Sequence, residues 1–198
     1  MRTRLGLHAF CPAAGVALVL AFAACSPPID HVQESMDPTG WRMAGSGRDE
    51  MRQRGDATVL HEGRPTLRLA AVADSSEGYG TWMNVLFASP YVGKRVRISV
   101  YTRTAGATRR ADVWARVQAR ESPADGVGLV GKNVALPASS DWRRTEIVFD
   151  VPRDAVWVHY GVGLAGAGQL WMDRATIEVV GRDVPLTAEL PGSVVSGS

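Results

Sequence analysis

The chain is poor in cysteine, and this scarcity excludes several kinds of site. Only two of its 198 residues are cysteines, Cys11 and Cys25, and both lie within the first 25 positions. A domain formed by the residues after Cys25 has no thiol for a disulfide, a zinc site or nucleophilic catalysis. We therefore expect packing and hydrogen bonding to stabilise it without covalent help.

The chain also lacks an excess of charge of one sign. It contains 22 basic and 20 acidic residues, and two of the basic ones, Arg2 and Arg4, lie in the first 24 positions, which contain no acid. The remaining residues therefore carry equal numbers of basic and acidic side chains. Nucleic-acid-binding domains usually show a basic excess, so we expect no nucleic acid among the partners.

Long apolar runs are missing apart from one near the N-terminus. The run from Ala13 to Ala24 follows a basic start and is too short to span a bilayer comfortably. Residues 1–24 are therefore predicted to be a secretory signal peptide. The small residues before Cys25 resemble the lipobox of bacterial lipoproteins, with Phe22 where leucine is usual. The alternative is a signal peptide that is cleaved near Ala24 without lipidation.

The residues that follow the leader indicate where the protein would lie in the cell. Residues 25–39 contain prolines and polar side chains, as expected of a tether. Acylation of Cys25, with palmitate among the acyl chains, would anchor the protein to a membrane of the bacterial envelope. Because Ser26 rather than aspartate follows the cysteine, we expect the outer membrane, with the domain in the periplasm.

Helical periodicity is absent after the leader, and strand periodicity takes its place. In "RVRISVYTRT", Val96, Ile98 and Val100 alternate with basic and polar residues, which is typical of a strand with one buried face. Similar short segments follow one another, separated by Gly, Pro, Asn and Asp clusters. We predict an all-β fold, an antiparallel β-sandwich of the jelly-roll kind, over residues 40–187. Residues 188–198 are predicted to be a flexible tail.

Several of these segments resemble a known module. The segments "YVGKRVRISVYTRT", "ADVWARV" and "SSDWRRTEIVFDVP", with the Gly-x-Gly-x-x-Trp-x-Asp pattern from Gly166 to Asp173, are similar to a galactose-binding-like jelly-roll module. Such modules are attached to bacterial helix-turn-helix regulators and to some C-terminal-processing-type serine peptidases. The resemblance covers roughly residues 38 to 187. It implies the fold more than a function, because one fold supports many activities.

The chain departs from that family at positions that bear on binding. Members commonly read Trp-Met-Arg-Val-Asp-Gly where residues 114–119 read Trp-Ala-Arg-Val-Gln-Ala, so Gln118 replaces an aspartate. Asn84 stands where relatives carry glutamine. If the family binds a ligand on this face, the resemblance implies that its chemistry is altered here.

Aromatic and polar side chains on two predicted strands form the candidate binding face. Trp114, Arg116 and Gln118 project from one side of their strand, opposite Val113, Ala115 and Val117. Trp82 and Asn84 form a similar pair, expected to share that side. Sugar-binding modules use aromatic faces with Arg, Asn and Gln side chains in this way. The candidate ligand-binding residues are Trp82, Asn84, Trp114, Arg116 and Gln118, whereas Trp41, Trp142, Trp157 and Trp171 are predicted to pack in the core or at its rim.

Arg116 leaves two alternatives open. The side chain lies either in a solvent-filled groove that binds a ligand or in a polar seam closed by an acid such as Glu146 or Asp173, because an unpaired buried charge is costly.

Catalysis is not expected from this sequence. The histidines after the leader, His31, His61 and His159, are far apart and lack metal-ligand spacing, and no Gly-x-Ser-x-Gly motif occurs. No cofactor is expected. Calcium is common in related sandwiches and Asp173 is a candidate ligand, but no clustered oxygen-ligand motif supports it.

The sequence therefore favours a non-catalytic, membrane-tethered binding module of the bacterial envelope, for carbohydrate or cell-wall glycan. The alternative is a structural or protein-interaction subunit that docks an envelope partner through the same sheet.

Overall fold

A computed structural model describes residues 40–119 and 130–187 of the chain. The predicted signal peptide, the predicted tether with Cys25 and the predicted C-terminal tail lie outside these residues. The described part contains a short 3-10 helix, Arg48–Glu50, and ten strands. The strands are β1 (Trp41–Ala44), β2 (Met51–His61), β3 (Arg64–Ala71), β4 (Tyr79–Phe87), β5 (Arg95–Ala105), β6 (Arg110–Ala119), β7 (Val130–Ala135), β8 (Ser140–Asp150), β9 (Ala155–Ala165) and β10 (Gln169–Val180).

The strands form two five-stranded sheets with antiparallel pairing. The first sheet has the order β1-β4-β9-β6-β7, and the second has the order β2-β3-β10-β5-β8. Neighbours in each sheet are mostly distant in sequence, as in a jelly roll. The predicted all-β sandwich is confirmed. Within the described ranges, no helix is long and apolar enough to cross a membrane.

The core lies between the inner faces of the sheets. Val96, Ile98 and Val100 of β5 are at most 2% exposed, as their alternation predicts. On β6, Val113 and Val117 occupy the same interior from the opposite sheet. Because period-two alternation sends every other residue inward, the intervening side chains form the two outer faces.

Candidate functional site

The outer face of the first sheet brings three of the five predicted site residues together. Trp114, Arg116 and Gln118 of β6 lie opposite Gly161, His159 and Trp157 of β9, respectively. Their inward-facing neighbours on β6 are buried in the core. This face, formed by the outward residues of β1, β4, β9, β6 and β7, is called the first outer face below.

Trp82 and Asn84 lie on the other side of the first sheet, so the expectation that they share a side with Trp114 is wrong. Trp82 pairs with Val162 of β9, and Val162 pairs in turn with Val113 of β6. Directly opposed residues share a face, which places Trp82 in the core, where it is 6% exposed. Asn84 lies opposite Tyr160 and bonds to its hydroxyl.

Arg116 is held in place by hydrogen bonds to its own sheet. Its Nη2 donates to Asn133 Oδ1 at 2.7 Å, and its Nη1 donates to the carbonyls of Ala115 and Lys132 at 2.8 and 3.2 Å. The predicted closing acids, Glu146 and Asp173, belong to β8 and β10 of the second sheet. Arg116 is therefore half-buried in a polar seam, but neither of those acids closes it.

The acid that shares this seam is Asp112, whose side chain is 2% exposed. Asn133 Nδ2 donates to Asp112 Oδ2 at 2.5 Å, and Arg110 Nε lies 3.3 Å from the same oxygen. Burial raises the pKa of Asp112 and lowers the pKa of Arg116. Among the described residues, Asp112 Oδ1 has no hydrogen-bond partner.

Two glycines leave the space that this network occupies. A Cβ at Gly131 would lie 3.1 Å from Cδ and Nε of Arg116, and one at Gly163 would lie 2.5 Å from Asp112 Oδ1. A Cβ at Gly163 would come even closer to the Tyr79 hydroxyl. Burial raises the pKa of Tyr79 to about 12, so the phenol remains a neutral donor at the floor of this face.

Trp114 is part of the floor rather than an open platform. Its side chain is buried, at 8% exposure, and its Nε1 donates to Thr81 Oγ1 at 2.8 Å. The Thr81 hydroxyl donates onward to the carbonyl of Val162 at 2.8 Å. Trp114 therefore positions its neighbours, and a sugar ring could not stack on it without displacing them.

The open aromatic surface is instead a pair that the sequence reasoning missed. The rings of Phe87 and Trp157 stack with centroids 4.3 Å apart and an interplanar angle of 27°. The two residues are opposed on β4 and β9, and Trp157 is also opposed to Gln118. Phe87 is 66% exposed. The available signal was one aromatic side chain close to the end of each strand, Phe87 as the last residue of β4 and Trp157 near the start of β9.

Polar groups adjoin this pair. His159 Nε2 lies 3.2 Å from Gln118 Oε1, one row from the stacked rings. Burial lowers the pKa of His159, and the nearby Arg42 lowers it further. The imidazole is therefore predominantly neutral at neutral pH, when one ring nitrogen donates and the other accepts.

A second polar cluster surrounds His61 on the second sheet. The imidazole lies between the rings of Tyr101 and Trp142, at centroid distances of 4.6 and 4.5 Å, and its Nδ1 lies 2.7 Å from Asp173 Oδ2. Arg64 and Arg174 approach the same oxygen at 3.0 and 3.2 Å. This cluster ties the β2–β3 turn to β10.

These cations bear on the suggested calcium ligand. Asp173 Oδ2 is already neutralised by two guanidinium groups, and a calcium ion there would compete with both. Within residues 40–119 and 130–187, no group of three or more His, Cys, Asp or Glu could hold a metal ion.

Comparison with known proteins identifies one curated relative. A Bacillus subtilis (strain 168) protein named "Uncharacterized HTH-type transcriptional regulator YbfP" is 34% identical over 161 residues, covering 79% of this chain and 53% of that protein. The chain thus spans about half the length of the relative. A module shared with a helix-turn-helix regulator is what the sequence resemblance implied. No family model matches the chain.

Solved structures share the fold at low identity. The enzymatically active domain of tailspike protein 4 of bacteriophage CBA120 aligns with a TM-score of 0.57 at 9% identity, covering 74% of this chain and 20% of that one. A CBM22-1–GH10 xylanase fragment of Clostridium thermocellum gives 0.52 at 12%, covering 72% and 26%. The CBM22-2 xylan-binding domain of Paenibacillus barcinonensis Xyn10C gives 0.50 at 12%, covering 74% and 96%. These likenesses establish the jelly-roll sandwich that carries the first outer face.

Proposed function

We propose that this protein is a non-catalytic, membrane-tethered glycan-binding module of the bacterial envelope, and that glycan binds on the first outer face. The observation that carries the proposal is the stacked Phe87–Trp157 pair beside Gln118 and His159, in which Phe87 is exposed and Trp157 is half-buried. The apolar face of a sugar ring stacks on aromatic carbon, while its hydroxyls need both donors and acceptors. The aromatic pair supplies the carbon surface, and Gln118 and His159 supply donors and acceptors.

The buried network beneath supports these contacts by holding the sheet surface rigid. Arg116 is fixed by Asn133 and by two carbonyls, and Trp114 is fixed by Thr81. A binding surface whose side chains are already ordered loses little conformational entropy when a ligand binds. In this role Arg116 and Trp114 position the face, and Gln118 contacts the ligand.

The chemistry of the face favours binding over hydrolysis. Glycoside hydrolysis ordinarily requires two carboxyl groups that flank the scissile bond. Among the described strand residues, the first outer face carries one carboxylate, Asp112, and it is buried and bonded to Asn133. The structural relatives include two carbohydrate-binding modules by name, one of them described as xylan-binding, and one enzymatically active domain. The modules agree with the proposal.

Membrane tethering is part of the proposal and rests on the sequence before the described residues. The apolar run that ends at Ala24 and the following Cys25 support acylation at that cysteine. Mass spectrometry of the mature N-terminus tests it: an unmodified N-terminal residue would refute the lipid anchor, whatever the glycan experiment shows.

Glycan binding is tested by retention on immobilised polysaccharides and by a glycan array. Trp157→Ala should weaken binding at least about tenfold, as expected for an aromatic anchor at the centre of an interface. Trp142→Ala is the matched control, because Trp142 is half-buried on the second sheet, where its Nε1 donates to the Leu60 carbonyl. Its binding should be unchanged.

Two results would contradict the proposal. One is equal weakening by Trp157→Ala and Trp142→Ala, and the other is the absence of any retained glycan. If Trp157→Ala instead abolishes capture of an envelope protein while arrays stay blank, the face is a protein-docking surface.

A further inference from the structure

The outer face of the second sheet carries an arginine cluster that the proposed function does not use. Arg54 of β2 lies directly opposite Arg68 of β3, and Arg68 lies opposite Trp171 of β10. Arg52 projects from the same side of β2, two residues before Arg54. The arginine cluster below means Arg52, Arg54 and Arg68.

The cluster lines a cavity whose lining, as far as the described residues go, includes no acid. The cavity has a volume of about 480 Å³, and the three arginines are its only charged lining residues among those described. Cavities of this size hold small organic ligands. Three guanidinium groups around one open space create a strongly positive potential, which attracts an anion.

Partners for these guanidinium groups are scarce in the described part of the chain. There, none of the three arginines forms an ion pair with a carboxylate, although most other arginines of the second sheet do. Arg52 Nη1 donates to the carbonyls of Asp49 and Met51, at 3.1 Å each. The Nε of Arg68 is buried and has no hydrogen-bond partner, which leaves a donor unsatisfied at a cost.

The arrangement also places like charges directly across a strand pair. Opposed like charges destabilise antiparallel strands, so the Arg54–Arg68 pair works against the pairing of β2 with β3. Trp171 offsets part of this cost, because the guanidinium groups of Arg68 and Arg103 both lie 5.8 Å from its ring centroid. An anion between Arg54 and Arg68 would reduce the repulsion and accept hydrogen bonds from the exposed parts of their guanidinium groups.

We propose that the arginine cluster is a binding site for a phosphate monoester. Arginine binds phosphate through paired N–H donors, and a phosphate monoester carries about 1.5 to 2 negative charges and three acceptor oxygens at neutral pH. That charge matches three guanidinium groups, none of which has a carboxylate partner among the described residues, better than the single charge of a carboxylate does. The site lies on a different sheet from the proposed glycan surface, and the test of one proposal does not depend on the outcome of the other.

The phosphate monoester could be a soluble ester or the headgroup of a membrane lipid. Calorimetric titration of the purified protein with glycerol phosphate probes the first source. Sedimentation with phosphatidylcholine vesicles, with and without phosphatidic acid, probes the second. Binding of glycerol phosphate without vesicle binding identifies a soluble ester, whereas binding that requires phosphatidic acid identifies a headgroup. Both should weaken as salt is added, because exposed charges are screened.

Arg54→Gln is the decisive variant, since Arg54 is exposed and its replacement removes no core packing. It should weaken binding of the phosphate ligand about tenfold, the loss expected for a charge-assisted contact. In phosphate-free buffer of low salt it should keep or raise the melting temperature, because the opposed charge is gone. Arg97→Gln is the control: Arg97 lies on the same outer face and is paired with Glu178 at 2.9 Å.

The affinity of the Arg97→Gln variant for the phosphate ligand should stay within about twofold of that of the unmodified protein, the small effect expected for an exposed ion pair. Failure of both glycerol phosphate and phosphatidic acid vesicles to bind would overturn the proposal. Equal weakening by Arg54→Gln and Arg97→Gln would overturn it as well, since it would reduce the effect to general surface charge.

Discussion

Arg116 on the first outer face and the arginine cluster on the second differ in the partners that surround their guanidinium groups. On the first sheet, Arg116 is bonded to Asn133 and shares its seam with the buried Asp112. On the second sheet, Arg54 and Arg68 oppose each other, and neither has a carboxylate partner among the described residues. Arg116 and Arg68 each stand between two apolar residues in the sequence and look equivalent there. The difference arises because the partners of each guanidinium come from neighbouring strands, which the sequence of its own strand does not reveal.

Each face also contains one buried tryptophan, and the pair makes a matched comparison. Trp114 and Trp171 are 8% and 6% exposed. The indole of Trp114 donates to a neutral hydroxyl, that of Thr81, at 2.8 Å. The indole of Trp171 donates to a carboxylate, Asp56 Oδ2, at 2.9 Å and lies between two guanidinium groups. The guanidinium of Arg116 also lies 5.9 Å from the Trp114 ring centroid, so the two indoles differ mainly in their hydrogen-bond acceptor, which is neutral for Trp114 and charged for Trp171.

Removing either indole should give the largest effect in this comparison. We expect Trp114→Ala and Trp171→Ala each to lower the free energy of unfolding by about 3–5 kcal/mol, because each leaves a large cavity beside a formerly satisfied acceptor. Chemical denaturation measures it. Half-buried Trp142 supplies the control. If Trp142→Ala lowers the free energy of unfolding as much as the other two variants do, burial does not determine the size of the loss.

Removing only the indole N–H should separate the faces. Trp114→Phe should cost about 0.5–1.5 kcal/mol, the usual net value of a neutral hydrogen bond. Trp171→Phe should cost more, because hydrogen bonds to charged groups are stronger and Asp56 would lose a donor that holds its carboxylate. The urea midpoints of the two variants provide the measurement. Equal midpoints, or the reverse order, would mean that the charged acceptor of Trp171 adds nothing to its hydrogen bond.

The sequence predicted the strands and their faces better than the site, and particular residues show why. Alternation on β6 correctly put Trp114, Arg116 and Gln118 on one side, because that pattern is local to one strand. It could not relate them to Trp82 on β4, because β9 lies between the two strands and sets their relative register.

The aromatic pair was hidden for a related reason. Phe87 and Trp157 end up stacked although they belong to strands far apart in the sequence. Nothing in either segment alone distinguishes an exposed aromatic residue from one packed at the rim. Trp171 is the opposite case. Its position in the alternation of β10 places it on the outer face, yet its side chain is buried beneath Arg68 and Arg103.

The acids of the two faces also differ in the direction of their pKa shifts, which the pH dependence of stability can reveal. Burial raises the pKa of Asp112 on the first sheet. Burial also acts to raise the pKa of Asp173 on the second sheet, but hydrogen bonds from His61 and Arg64 outweigh it, so that this pKa lies below its usual range. Asp56 is likewise held well below the usual pKa, first by the Thr58 hydroxyl and then by Trp171.

Opposite shifts predict opposite pH dependence, which is the smallest effect in this comparison. A carboxyl with a lowered folded pKa contributes stability that is present above its unfolded pKa of about 3.9 and is lost as pH falls through the folded pKa. Asp173→Asn should therefore flatten the loss of stability in acid. A carboxyl with a raised folded pKa contributes stability that is present at low pH and lost as pH rises through the folded pKa.

Asp112→Asn should accordingly remove a contribution that opposes acid unfolding and make the acid limb steeper. The free energy of unfolding in urea, measured at intervals between pH 2 and pH 7, gives the slope for each variant and for the unmodified protein. The asparagine replacements keep the shape of both side chains, so packing changes little and the slopes report ionisation. Slopes that change in the same direction for both variants would contradict the opposite pKa shifts of Asp112 and Asp173.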